Sequence, residues 1–211
     1  MPQFFVRFAR ARLPRTFPAA LPATTQPPRV LPRWLRFLAL PAAATLMLSA
    51  CTPSFDWRNV VNQEGGFSVM FPAKPGLDQR NAKIAGQSLP MLMQSARVGD
   101  TSFAVGVVTL PADDPALAAA VLDSLKTGLA HNINVVLDTH PVQIDVGTPG
   151  QQVAGAEFIA SGTVAGAHHE HRVMHARFAV RGAKVYEAVI VAPVEPAAEQ
   201  VDQFFGSLRL Y

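Results

Sequence analysis

Apolar and polar residues alternate through residues 65–211 in short runs punctuated by glycine and proline. In "GGFSVMFPAKPG" the run Phe67–Phe71 lies between a glycine pair and Pro72 and Pro75, which predicts a strand. The runs "LPMLMQSARV" (89–98) and "TSFAVGVVTL" (101–110) predict two more, joined by Gly99-Asp100 as a hairpin turn. The second is apolar on both faces, the pattern of an interior strand covered on each side. In "DDPALAAAVLDSLKTGLAHNI", Asp114 is placed to cap a helix and Pro115 to occupy its first turn. Leu117, Val121, Leu122, Leu125 and Leu129 then form a stripe at helical spacing. The segments "VAGAEFIASGTVAG", "HHEHRVMHARFAVRG" and "AKVYEAVIVAPV" predict three further strands, the last again apolar on both faces. Val201, Phe204, Phe205 and Leu208, at i, i+3, i+4 and i+7, mark a short terminal helix. Glu195 and Glu199 lie near its start and Arg209 near its end, as the helix dipole prefers.

Strands, helix, strands, helix is the order expected of an α+β domain. The predicted fold is an antiparallel sheet of about six strands sandwiched by helices. With 211 residues, 49% of them hydrophobic, the chain can bury one ordinary core, assigned to a single domain over 65–211.

Charge divides the chain differently. Residues 1–50 hold seven arginines, no lysine and no acid, which leaves eleven basic residues against fifteen acidic ones in 51–211, a net charge of −4. Basicity therefore belongs to the leader and not to the domain, which argues against nucleic acid as a partner. Arg33 and Arg36 precede an apolar stretch from Phe37 to Ala50 interrupted by Pro41. That is short of the roughly 20 residues that span a bilayer and suits the apolar region of a signal peptide.

The apolar stretch ends in Leu48-Ser49-Ala50-Cys51, and Cys51 is the only cysteine in the chain. This resembles the bacterial lipobox, in which small residues precede an invariant cysteine. The resemblance implies a diacylated Cys51 thiol, cleavage just before it, and acylation of the new amino terminus. A lone cysteine in an exported protein is otherwise an odd reactive thiol. Several acyl chains, at about 0.8 kcal/mol per buried methylene, give stable anchoring where one short chain does not. Thr52, rather than Asp, follows the cysteine, which by resemblance to Gram-negative sorting rules implies the outer membrane facing the periplasm. Residues 1–29, rich in Arg and Pro, are long for the start of a signal peptide and fit a misassigned translation start. Residues 51–64 are read as the lipidated cysteine and a short tether.

An early "W…GGFSVMFPAKP", a central amphipathic helix and a terminal "VDQFFGSLRL" resemble the PsbP-like family, over roughly 55–211. That family includes the extrinsic photosystem II subunit and many bacterial lipoproteins. The resemblance implies an α/β/α sandwich and a non-enzymatic binding or assembly role. It brings no shared catalytic residue to carry over.

One polar cluster stands out, "HHEHRVMH", residues 168–175. On an extended strand His169, His171, Val173, His175 and Arg177 share one face, and Met174, Ala176, Phe178 and Val180 the other. His169 and His171 would lie about 7 Å apart, near enough to ligate one metal ion together, with His175 about 13 Å from His171. A third ligand has to come from elsewhere, His140 being the available imidazole. The bland alternative is a solvated, hydrogen-bonding sheet face. No nucleophile elbow, helical zinc motif, phosphate loop or dinucleotide fingerprint is present. Asp113 and Asp114 are explained as a helix start, and Trp57 as docked on the domain or touching headgroups.

The sequence thus predicts an outer-membrane-anchored periplasmic lipoprotein that binds a protein or envelope component. It implies no catalysis, no cofactor and no nucleic acid. The alternatives are a metal-binding protein using His169 and His171, or a carrier of an apolar ligand held between sheet and helix.

Overall fold

A computed structural model of the chain describes residues 55–136, 138–164 and 170–211. In chain order these form β1 (Arg58–Asn62), β2 (Phe67–Phe71), β3 (Gly76–Ile84), β4 (Gln87–Val98), β5 (Thr101–Thr109), α1 (Pro115–Asn132), β6 (His140–Asp145), β7 (Gln152–Thr163), β8 (His171–Arg181), β9 (Lys184–Ala192), α2 (Ala198–Gly206) and β10 (Arg209–Leu210). Among the described residues no helix is long and apolar enough to cross a membrane.

The strands make two sheets. A seven-stranded antiparallel sheet runs β3-β4-β5-β9-β8-β7-β6, and a three-stranded one runs β1-β2-β10. The isolated bridge from Val146 to Leu210, with Gly147 N–H donating to the Leu210 carbonyl at 2.8 Å, ties the small sheet to the β6 edge of the large one. The interior strands β5 and β9 pair from Ser102 with Val191 to Thr109 with Lys184. Both are covered on each face, as their apolar composition requires.

Each face of the large sheet carries its own core. On one, Leu92, Val105, Val107, Ala188 and Ile190 pack against Phe67, Val69 and Phe71 of the small sheet and Phe204 and Phe205 of α2. On the other, Met91, Val108, Val185, Ala176 and Phe178 pack under α1 through Ala118, Val121 and Ala130. The close approach of α1 to β7 depends on Gly162, where a β-carbon would lie 2.1 Å from the Ile133 carbonyl oxygen. Asp114 caps α1 as its position predicts, accepting from the N–H groups of Ala116 and Leu117 at 2.9 and 3.1 Å.

This architecture corrects the predicted fold class. Among the described residues the chain is mostly β, with ten strands and two helices, and is not an antiparallel sheet sandwiched by helices. One outer layer is a second sheet with a nine-residue helix beside it, so the PsbP-like α/β/α sandwich is not the arrangement formed. The error has a local cause. The six exposed positions opening β3, "GLDQRN", show no alternation, because an edge strand of this kind meets water on both faces. The strand β6 contains Pro141, which an edge position tolerates. The strand β1 falls within the stretch read as a tether, and β10 directly follows Leu208, the last residue of the apolar stripe read as a terminal helix.

Candidate functional site

The segment Pro193–Ala197, connecting β9 to α2, is fastened to the face of β8 by two histidines. The His171 ring lies between the Pro193 carbonyl oxygen, 3.3 Å from Nδ1, and the Ser161 hydroxyl, 2.7 Å from Nε2. A carbonyl only accepts, so Nδ1 carries a proton and donates it to Pro193, while Nε2 and the Ser161 hydroxyl share a second hydrogen bond. Two positions further along the same face, beyond Val173, His175 is 7% exposed, and its Nε2 lies 2.7 Å from the Glu195 carboxylate. Arg177 follows on that face, donating from Nε to Glu157 at 2.8 Å with its guanidinium 4.8 Å from the Phe205 ring centre.

The alternation expected for β8 is thus present, since Met174, Ala176 and Phe178 enter the core beneath α1. The opposite face is not simply solvated: Val173 and His175 are buried, and the connection to α2 meets His175 through Glu195. Of the two residues proposed as metal ligands, His169 lies outside the described residues, as do Cys51 and the lipobox residues Leu48, Ser49 and Ala50. His171 has both ring nitrogens engaged. Among the described residues no group of three or more His, Cys, Asp or Glu side chains is placed to hold a metal ion. Glu170 pairs with Arg172.

The sequence reading missed Glu187, the one acid in the apolar run "KVYEAVIVA". On β9 it stands between Gly106 of β5 and Phe178 of β8, with Val185 and Val189 on its own face. It is therefore under α1, and 8% exposed. Burial pushes its carboxyl up to about 7. Its neighbour Tyr186 points the other way and is also raised, to about 12, by burial, with Arg181 opposing the shift. The Tyr186 hydroxyl donates to the Gly66 carbonyl at 3.3 Å.

Two open grooves lie at the end of the sheets where β5 finishes and β9 begins. One, of about 330 Å³, has Leu92 and Val107 as its floor and Glu64, Gln79, Asn81 and Thr109 among its polar walls. The other, of about 380 Å³, is formed by the turn from Asp145 to Gln151 with Arg209 and Tyr211. Between them the β1–β2 turn is held by Lys184 Nζ donating to the Glu64 carbonyl at 2.6 Å and Tyr211 N–H to the Gly66 carbonyl at 2.8 Å. Gly66 has φ +71°, a conformation that favours glycine.

No protein-family model matches the chain, and no curated protein matches it. A crystal structure from Bacteroides thetaiotaomicron VPI-5482 is similar at a TM-score of 0.42 and 11% identity. The similarity covers 73% of this chain and 48% of that one, so the chain spans about half the length of that structure. So distant a likeness carries no function. Nothing in these comparisons links the chain to the PsbP-like family.

Proposed function

We propose that the protein is a bacterial envelope lipoprotein, anchored through acylated Cys51 in the outer membrane and facing the periplasm. Its domain acts as a non-enzymatic module that binds a protein or another envelope component. The observation that carries this reading is Leu48-Ser49-Ala50-Cys51 at the end of an arginine-preceded apolar stretch. Thr52 in place of Asp supports the outer membrane over the inner.

The domain begins almost at the anchor. Phe55 stacks on Trp57 with ring centres 5.8 Å apart, and both meet the edge of Phe103. A domain seated this near its lipid suits a holder or assembly factor working at the membrane. Crosslinking in cells, with the anchored chain as bait, tests the binding role. A discrete envelope protein captured by the anchored form, and lost with Cys51→Ser, supports it. Equal capture by anchored and unanchored forms counts against an anchored role.

A further inference from the structure

The fold fixes which end of the domain the anchor holds. The residue four places after Cys51, Phe55, is packed onto Trp57 and Phe103, and Asp56 N–H donates to the Pro72 carbonyl at 2.8 Å. From Phe55 onward the chain therefore belongs to the domain. Four residues fully extended span about 14 Å.

Strand register shows what else is at that end. Phe103 lies near the start of β5, which pairs Thr101 with Val98 across the Gly99-Asp100 turn. Ser102 pairs with Val191 near the end of β9, and Val173 near the start of β8 pairs with Ala192. On the small sheet, Arg58 pairs with Phe71. One end of the domain thus gathers Phe55, Trp57, the Gly99-Asp100 turn, the start of β8 and the Pro193 connection.

At the other end are the β1–β2 turn, the Ala85-Gly86 turn, the β8–β9 turn at Gly182 and both open grooves. A nine-residue strand, such as β5, separates the two ends by about 30 Å.

We infer that the Phe55–Trp57 end lies against the lipid headgroups and that the two grooves face away from the membrane. The inference rests on the lipoprotein reading and adds the orientation of the domain. The magnitudes decide it. The interfacial layer on each side of a bilayer is about 5–8 Å deep, and the tether is at most about 14 Å. The anchored end therefore stays at or next to that layer, while the far end reaches it only if the domain tips onto its side or over.

The anchored end carries little net charge: Arg58, Arg97 and Arg172 are matched by Asp56, Asp100 and Glu170, and the exposed Lys74 between β2 and β3 is offset in the sum by the exposed Glu195. The tether imposes the orientation, so salt that screens surface charges will leave it in place.

The chain supplies its own probe. Of its two tryptophans, Trp34 leaves with the cleaved leader, and Trp57 sits at the anchored end. The full-length gene product, matured in cells and reconstituted into vesicles of phosphatidylethanolamine and phosphatidylglycerol, is read by energy transfer from Trp57 to a headgroup-attached dansyl acceptor. A Trp57→Phe, Ala112→Trp variant moves the donor to the exposed loop after β5 at the far end.

Transfer from Trp57 should be several-fold more efficient than from position 112 and unchanged in high salt. Inserting twelve Gly/Ser residues between Ser54 and Phe55 should narrow the difference. Equal transfer from both positions, or stronger transfer from position 112, overturns the orientation. The mass of the amino-terminal peptide, measured on the same samples, separates the two failures. An acylated Cys51 with equal transfer defeats the orientation alone, and an unmodified Cys51 defeats the lipoprotein reading and the orientation with it.

Discussion

The imidazole of His175 on β8 and the carboxylate of Glu195 in the β9–α2 connection meet at 2.7 Å, one buried and the other 65% exposed. The pair spans 20 residues of chain and fastens the connection that delivers α2 to the sheet. With the His171 ring on the Pro193 carbonyl, it gives the histidines of this strand a structural task.

Removing either partner should loosen that connection. The carboxylate is largely in water, so His175→Ala and Glu195→Ala should each cost only about 1 kcal/mol from the lost contact. Packing lost at buried His175 will add to the first. The double variant should cost less than the two singles together, measured by urea unfolding. Full additivity would show that the pair is not coupled.

Glu187 makes stability depend on pH with a definite sign. In the folded chain its carboxyl titrates at about 7, and its ordinary value is 4.5. Between these the folded state keeps a proton that the unfolded state has lost, so stability falls as pH rises and the effect is complete above about pH 7. A displacement of this size corresponds to about 3 kcal/mol. Glu187→Gln should therefore match the parent near pH 4 and exceed it by a few kcal/mol at pH 8. Parallel stability profiles for variant and parent would refute this account of the site.

The terminal helix docks through both of its adjacent aromatics. Phe204 is fully buried among Phe71, Phe103 and Phe205, with ring centres 5.1–5.7 Å away, and Phe205 is 4% exposed beneath Arg177. Phe204→Ala should cost about 3–5 kcal/mol, as for other large-to-small changes in a core. Phe205→Ala should cost a similar amount, together with the Arg177 contact. Melting curves that coincide with the parent's would mean that these rings do not hold the helix.

Metal should bind weakly at most. His171 offers Nε2 only by giving up the Ser161 hydroxyl, and two imidazoles do not make the three or four ligands of a tight transition-metal site. The chain should be retained on an immobilised-metal column and emerge metal-free after a mild chelator. Stoichiometric zinc that survives the chelator and is lost in His169→Ala, His171→Ala would establish a site.

What the sequence disclosed follows from where each element sits. The strands β5 and β9 are apolar throughout because both of their faces are covered, and α1 announces itself through Asp114 and Pro115. Turn chemistry was legible too: Gly99 has φ +57° in the hairpin that joins Val98 to Thr101.

Edge strands are another matter. "GLDQRNAKI" has no interior side to record in its pattern over its first six residues. Two of the missing strands then changed the architecture, because β1 and β10 build the second sheet around Phe67–Phe71. The same limit applied at the polar residues. Strand spacing placed His171, His175 and Arg177 on one face, but their partners Pro193, Glu195 and Glu157 come from outside the strand. Glu187 was visible only as an acid in an apolar run, a signal of burial that does not name a role.

The proposed lipid anchor rests on residues 48–51, and one measurement reaches it directly: the mass of the amino-terminal peptide of the protein purified from the cells that make it. The account predicts a peptide that begins at Cys51 and carries a diacylglyceryl thioether and an amide-linked acyl chain. In Cys51→Ser the same preparation should yield only unprocessed precursor. A mature protein that begins elsewhere, or a Cys51 with a free thiol, would contradict the central claim.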